Sequence, residues 1–115
     1  MNKKANPHFL NGVPELLVLR LLDSKEMYGY ELVAEIKDAT GGKLSFEEGC
    51  IYPTLHSLEE DGFLQSSRKI ANGRARYYYR LSGKGGKRLS QLKEEWKRVS
   101  SGVAICLGGL HERPA

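Results

Sequence analysis

The spacing of apolar residues changes character midway along the chain, and this change most constrains the fold. Helical spacing runs to about residue 61, whereas residues 63–82 hold the aromatic run Tyr77–Tyr79 between arginines. Aromatic residues at this density favour strand over helix. Asn72-Gly73 lies between the two halves of the segment and suits a tight turn with positive φ angles. The pattern predicts a β-hairpin of about 18 residues in a mainly helical chain.

The first helical segment is predicted at Pro14–Leu22. Pro14 followed by Glu15 is typical of a helix start, where a missing N–H costs nothing and a carboxylate meets the positive end of the dipole. Apolar side chains occupy nearly every face of this segment, which is typical of a helix buried almost all round. A core this small cannot cover such a helix alone, so the pattern favours a second subunit.

Two further helices are predicted before the hairpin. One spans Tyr28–Thr40 and ends at Gly41-Gly42. The start of the other is ambiguous, because Ser45 with Glu48 matches a capping box. We favour a short turn at 45–48 and a helix from about Gly49 to Asp61 with Gly49 as its cap, because Pro53 is then one of the first four helical residues, whose N–H groups have no helical partner. Its apolar face holds Ile51, Leu55 and Leu58, and its other side carries Tyr52, Pro53, His56 and Ser57.

A long helix is predicted after the hairpin, with Ser82 as its N-cap. Apolar residues in it alternate steps of three and four, which makes a heptad seam. The seam consists of Leu89, Leu92, Trp96, Val99, Val103, Cys106 and Leu110. Gly102, Gly108 and Gly109 weaken the far end, so we expect fraying after about Cys106 and disorder at His111–Ala115.

Charge is distributed unevenly. Residues 1–63 hold 6 Lys+Arg and 11 Asp+Glu, whereas residues 64–98 hold 11 Lys+Arg and 2 Asp+Glu. A concentrated basic stretch in a small protein favours a polyanionic partner, usually nucleic acid. A solvated, lysine-rich helix face would give the same composition, so charge alone leaves both interpretations open.

Several classes are disfavoured by the composition. A chain of 115 residues is one domain, or one domain with an appended element. Cys50 and Cys106 form no CxxC pair, which favours packing roles and a reducing, cytoplasmic location. No apolar run reaches membrane-span length, so no membrane partner is expected. We see no paired catalytic groups, no phosphate loop and no linked metal ligands, which predicts a protein that is not an enzyme and has no cofactor or metal.

The order of three helices followed by a hairpin is that of a winged helix-turn-helix, a mostly α (α+β) fold. In this fold the third helix enters the major groove of duplex DNA and the hairpin, or wing, lies along the backbone. We therefore predict a DNA-binding domain at 1–81 and a C-terminal dimerisation helix at 82–110. The predicted DNA-binding residues are Tyr52, Pro53, His56, Ser57, Arg68, Lys69, Arg74 and Arg76. The alternatives are a polar surface and a wing whose cations only protect its edge.

Five motifs resemble the PadR-like transcriptional regulators. They read YGYEL at 28–32, GCIYPTL at 49–55, LEEDGFL at 58–64, RARYY at 74–78 and LSGKG at 81–85, followed by Trp96 in the last helix. Tyr28 replaces the family's usual histidine, and Cys50 replaces a threonine whose hydroxyl would contact DNA. The resemblance implies a dimeric transcription factor, most often a repressor. A winged-helix protein–protein adaptor without DNA binding is the alternative function.

The resemblance also implies where two copies meet and where an effector would bind. The final helix would pair with a second copy and pack against the first helix. The predicted dimerisation residues are Leu16, Leu19, Leu89, Leu92, Trp96, Val99 and Val103. Some relatives bind flat, apolar ligands between subunits, so a planar aromatic effector is predicted at Leu92, Trp96 and Val99. The alternative role for Trp96 is that of a structural core residue.

Overall fold

The computed structural model describes residues 12–109, which form four helices and a three-stranded antiparallel sheet. The predicted order of helices and hairpin is confirmed, and the fold is mostly helical. The elements are α1 at Val13–Ser24, β1 at Met27–Tyr28, α2 at Gly29–Ala39, α3 at Glu48–Glu60, β2 at Leu64–Ala71, β3 at Arg74–Leu81 and α4 at Gly83–Gly109.

One apolar core joins the first three helices to the base of the hairpin. α2 and α3 each bury one stripe, and α1 packs across both. The side chains that are almost fully enclosed are Val18, Leu19, Leu32, Ile36, Ile51, Leu55 and Leu64. Leu19 therefore lies inside its own chain. Its predicted role at a dimer interface is wrong, because no surface of this side chain is left for a second copy.

The wing forms as the sequence predicts. β2 pairs with β3 in a register that runs from Leu64 opposite Leu81 to Ala71 opposite Arg74. The turn residues Asn72 and Gly73 have φ angles of 55° and 77°, the left-handed region that a two-residue hairpin turn requires. β1 pairs with the edge of β3 that faces away from β2, with Met27 opposite Tyr79 and Tyr28 opposite Tyr78.

The strand β1 is not predicted by the sequence pattern. Met27 lies between the first two predicted helices and Tyr28 was expected to begin the second, but both residues are extended and paired with β3. Two residues are too few to display the alternation that identifies a strand. Burial of the Met27 side chain and the ladder to β3 fix this conformation. α2 consequently begins one residue later than predicted, where the Glu31 carboxylate accepts a hydrogen bond from the Tyr28 backbone N–H.

The start of α3 also differs from the prediction. The helix begins at Glu48, and the Glu47 carbonyl accepts bonds from the backbone N–H groups of Cys50 and Ile51. Pro53 is thus the sixth residue of the helix rather than one of the first four. Proline cannot donate to the Gly49 carbonyl. Gly49 and Pro53 are both exposed, so water can reach the carbonyl that lacks this bond.

α4 is tied tightly to the end of α3. The Ser82 hydroxyl donates to the Gly62 carbonyl at 2.6 Å and accepts from the Gly85 N–H at 3.0 Å, which confirms the predicted cap. Lys84 donates to the Asp61 carbonyl at 2.8 Å. A methyl group at Gly85 would overlap the Phe63 carbonyl oxygen, so only glycine allows this approach. These contacts fix the direction in which α4 leaves the wing.

The two halves of α4 differ in their packing. In the first half Leu89 is buried, and the Arg88 guanidinium donates to Glu15 of α1 at 3.0 Å, which raises the pKa of Arg88. Beyond Leu92 the seam is exposed. Leu89 is therefore a core residue of its own chain, with almost no exposed surface to offer a second copy.

The predicted fraying of α4 after Cys106 is not observed. The helix continues to Gly109 and includes Gly102 and Gly108. Successive N–H to carbonyl bonds add one bond for each residue fixed, and this cooperativity offsets the low propensity of isolated glycines. Leu110 and the predicted disorder at His111–Ala115 lie outside the described residues.

Candidate nucleic-acid interface

A groove of about 560 Å³ runs between α3 and the wing. Four elements meet there: β1, the start of α2, the exposed side of α3 and β3. Its lining consists of Tyr28, Gly29, Tyr30, Glu48, Tyr52, His56, Arg74, Ala75, Arg76, Tyr77 and Tyr79. Aromatic rings and arginines therefore dominate a concave surface beside the third helix.

The exposed side of α3 carries two parallel stripes. Glu48, Tyr52 and His56 are spaced by four residues and line the groove together, with the rings of Tyr52 and His56 6.5 Å apart. Pro53 and Ser57 are exposed on the neighbouring stripe. The four α3 residues predicted to bind DNA therefore share the exposed side, two of them inside the groove and two beside it.

Tyr52 is held in place by a close approach to α2. A Cβ at Gly29 would lie 2.5 Å from the Tyr52 ring, so the ring packs directly on the backbone at the start of α2. Partial burial and the nearby Glu48 carboxylate raise the pKa of Tyr52 above its usual range. The hydroxyl therefore keeps its proton at neutral pH and can donate a hydrogen bond.

The four wing cations that were predicted to bind DNA fall into different surroundings. Arg74 and Arg76 line the groove, and the Arg76 guanidinium lies 4.2 Å from the centre of the Tyr28 ring. A guanidinium stacked by its face still presents its N–H donors at its edge. Arg68 is exposed and stands opposite Tyr77 across the hairpin. Lys69 instead forms an ion pair with Glu26 and is 5.3 Å from the Tyr78 ring.

The wing is fixed to α3 by a polar contact near its base. The Ser66 hydroxyl donates to the Glu59 carboxylate at 2.5 Å, joining β2 to the last turns of α3. Tyr79 is buried at the base of the sheet. These contacts at the base of the sheet set the orientation of the wing relative to α3. The part of the wing nearer its turn extends beyond them.

Several residues that line the groove were not predicted to bind DNA, among them Tyr30, Glu48 and Tyr77. The side chains of Tyr30 and Tyr77 are each 59% exposed. Tyr77 lies two residues nearer the turn than Tyr79 and beyond the end of β1. Glu48 was expected in a turn outside α3. The predicted hairpin places Tyr77 two residues nearer the turn than Tyr79. Only the pairing of β1 with β3 shows that β1 ends before Tyr77 and does not cover its side chain.

The two cysteines lie in different surroundings. Cys50 is half-buried against the core, and burial raises the pKa of its thiol. Cys106 is exposed on α4. Across residues 12–109, no group of three His, Cys, Asp or Glu side chains is arranged to hold a metal ion. In the same span, no helix combines the length and apolar character needed to cross a membrane.

Three helices, an antiparallel wing and a shared groove between the third helix and the wing define the winged helix-turn-helix class. Residues 18–91 match the model of the transcriptional regulator PadR-like family, so the chain belongs to that family. This confirms the resemblance inferred from the five motifs. The chain is thus a PadR-family transcriptional regulator and not an enzyme.

Individual relatives agree with the family model. The chain is 33% identical over 101 residues to transcriptional regulator Rv3488 of Mycobacterium tuberculosis, covering 88% of this chain and 89% of that protein. It superposes on a PadR-like transcriptional regulator from Bacillus cereus with a TM-score of 0.76 and 31% identity, over 89% of this chain and 98% of that one. A PadR family regulator from Eggerthella lenta gives a TM-score of 0.77 at 28% identity, covering 89% and 88% of the two chains.

Proposed function

We propose that this regulator binds duplex DNA as a homodimer and represses transcription. The observation that carries the proposal is the groove, which holds the exposed side of α3 and two wing arginines on one surface. In this assignment α3 enters the major groove with Tyr52, Pro53, His56 and Ser57 towards the bases. Arg68, Arg74 and Arg76 contact phosphates, because a cation that neutralises a phosphate releases condensed counterions.

Lys69 has a smaller part in this proposal than the sequence predicted. Its ammonium group is paired with Glu26, so binding a phosphate would require breaking that contact. Tyr30 and Tyr77 take its place at the rim of the groove. Both rings are exposed there, and a tyrosine hydroxyl is a suitable donor to a phosphate oxygen.

A salt titration tests the DNA assignment. We expect the double variant Arg74→Ala/Arg76→Ala to bind duplex DNA with a shallower slope of log affinity against log salt, by about 1.8 for each protomer if each arginine neutralises one phosphate. Lys93→Ala/Lys97→Ala is the matched control, since it removes the same charge from an exposed part of α4. Equal slopes for the wild type and the wing variant would remove these arginines from the phosphate contacts.

The proposed dimer uses the outer half of α4. Trp96, Val99 and Val103 are 53%, 42% and 51% exposed and continue the stripe that begins at the buried Leu89. A contiguous apolar seam left in water is costly and is typical of an interface. A second copy is the occupant that a heptad seam favours, because two such helices interlock side chain by side chain. Leu16 and Leu92, both half-buried against the core, are also assigned to this interface. In this proposal the chain divides into a winged helix-turn-helix DNA-binding domain at 1–81 and a C-terminal dimerisation helix at 82–110.

We further propose that a planar, largely apolar small molecule binds between the two copies near Trp96 and releases the DNA. An indole is too bulky for regular knobs-into-holes packing, so helices paired here must separate around it. Leu92 and Val99 would line the resulting slot, which suits an aromatic ligand.

Because Trp96 is the one tryptophan of the chain, its fluorescence reports this site directly. Titration with a panel of planar dyes and phenolic acids is expected to quench it and to weaken DNA binding in parallel. If no compound quenches Trp96 at millimolar concentration while DNA binding remains intact, Trp96 is dimer core and the effector site does not exist.

A further inference from the structure

One carboxylate lies among the cations of the groove. Glu48 occupies the first turn of α3 and lines the groove together with Arg74 and Arg76. It is exposed and shares its stripe with Tyr52 and His56. A carboxylate on a surface that meets a polyanion lowers affinity, because phosphates repel it. Its position on the base-facing stripe therefore needs a compensating contact.

A base edge can supply that contact. In the major groove the cytosine N4 amino group donates, and a glutamate can accept from it. Guanine O6 and N7 and thymine O4 are acceptors, which a carboxylate disfavours. The first turn of a recognition helix is the part that reaches base edges in this class of protein. We propose that Glu48 is a specificity-determining residue that selects cytosine at one position of each DNA half-site, an inference that rests on the proposed DNA binding.

A purely structural role for Glu48 makes a different prediction. A carboxylate in the first turn stabilises a helix through its dipole, and such an effect changes the amount of folded protein but favours no base. The discriminating readout is therefore base preference measured position by position, compared between folded variants.

The experiment compares Glu48→Gln with Glu60→Gln. Both substitutions remove one negative charge from an exposed residue of α3, and Glu60 is at the far end of the helix and outside the groove lining. A tight-binding duplex is first selected with the wild type from a random pool. Each position of its half-site is then changed to the other three base pairs, and affinities are measured at fixed salt by fluorescence anisotropy. Circular dichroism melts verify that both variants are folded.

We expect the wild type to prefer cytosine at one position by at least about fivefold. Glu48→Gln should lose that preference and bind adenine there at least as well as cytosine, because glutamine pairs with adenine N6 and N7. Glu60→Gln should keep the wild-type preference at every position. A Glu48→Gln protein with unchanged base preferences overturns this inference alone, whereas a wild type that enriches no duplex overturns the proposed function and the inference with it.

Discussion

The two halves of α4 carry the same heptad pattern but meet different surroundings. In the first half Leu89 is buried and Leu92 is half-buried against the core beside α1. In the second half Trp96, Val99 and Val103 remain between 42% and 53% exposed. The first part of the seam therefore packs into the core of its own chain, and the second part leaves an apolar surface exposed.

The difference follows from the lengths of the two helices. α1 has 12 residues and is about 18 Å long, whereas α4 has 27 residues and is about 40 Å long. α1 is therefore less than half as long as α4 and cannot cover the whole α4 seam. A heptad pattern identifies an apolar stripe, but the neighbouring elements decide which part of the stripe is internal and which part is left for a partner.

The largest expected effect comes from placing a charge on the outer seam. Val103→Asp should abolish dimerisation, at a cost of about 3–5 kcal/mol, because an unpaired carboxylate would be buried between the helices. Analytical ultracentrifugation at micromolar concentration should give about 13 kDa for this variant and about 26 kDa for the wild type, twice the 12.9 kDa chain mass.

Ile105→Asp is the matched control for this substitution. Ile105 is 72% exposed and two residues from Val103, on the opposite side of the helix. This variant should remain dimeric. Dissociation by Ile105→Asp and not by Val103→Asp would show that the copies meet through the other side of α4.

A substitution in the inner half should act on folding instead of association. Leu89→Ala should lower the free energy of unfolding by about 3 kcal/mol, since it opens a cavity in the core. Urea denaturation of the Val103→Asp background, in which association is removed, isolates this effect. A loss below about 1 kcal/mol there would mean that Leu89 is not part of the protomer core.

The attachment of α4 gives an intermediate effect. Gly85→Ala should destabilise the fold by about 2 kcal/mol, because the added methyl overlaps the Phe63 carbonyl oxygen. Gly86→Ala is the control: no atom lies within 4 Å of a methyl group there, and alanine stabilises a helix relative to glycine by about 0.5–1 kcal/mol. Thermal melting distinguishes the two, and equal melting temperatures for the variants would contradict the tight junction.

The smallest expected effect concerns two neighbouring tyrosines on β3. As on α4, one side chain is exposed and the other packs against a residue of the same chain. Tyr77 lines the groove and is 59% exposed, whereas Tyr78 packs edge-on against Tyr28 at 5.3 Å. Tyr77→Phe should weaken DNA binding by about 1 kcal/mol, the net value of one hydrogen bond. Tyr78→Phe should leave DNA affinity unchanged, and an equal loss in both variants would exclude a specific phosphate contact by Tyr77.

Local signals predicted the architecture well because each was strong. Asn72-Gly73 specified the wing turn, Ser82 specified the α4 cap, and Ile51, Leu55 and Leu58 specified the buried side of α3. Features that depend on distant contacts were missed. β1 has two residues and exists through its pairing with β3, and the Lys69 ion pair joins residues 43 positions apart.

The same limit applies to the candidate interfaces. An apolar seam looks alike whether it faces α1 or solvent, so the sequence did not show that Leu19 and Leu89 are buried in the core of their own chain. A charge pattern likewise showed that the wing is basic, but Lys69 lies directly opposite Arg76 in the hairpin, and only the groove lining and the ion pair with Glu26 distinguish it from the two arginines. In both cases the missing information is which element packs alongside.

Selection of bound duplexes from a random pool tests the central claim most directly, because it examines DNA reading and pairing of the two copies together. A dimer held by the outer half of α4 presents two copies of α3 related by a two-fold axis. Such a dimer should enrich an inverted repeat whose half-site centres lie about one helical turn apart, roughly 10 base pairs, or a whole multiple of that spacing. Enrichment of a single asymmetric motif, or no enrichment at all, would contradict the central claim.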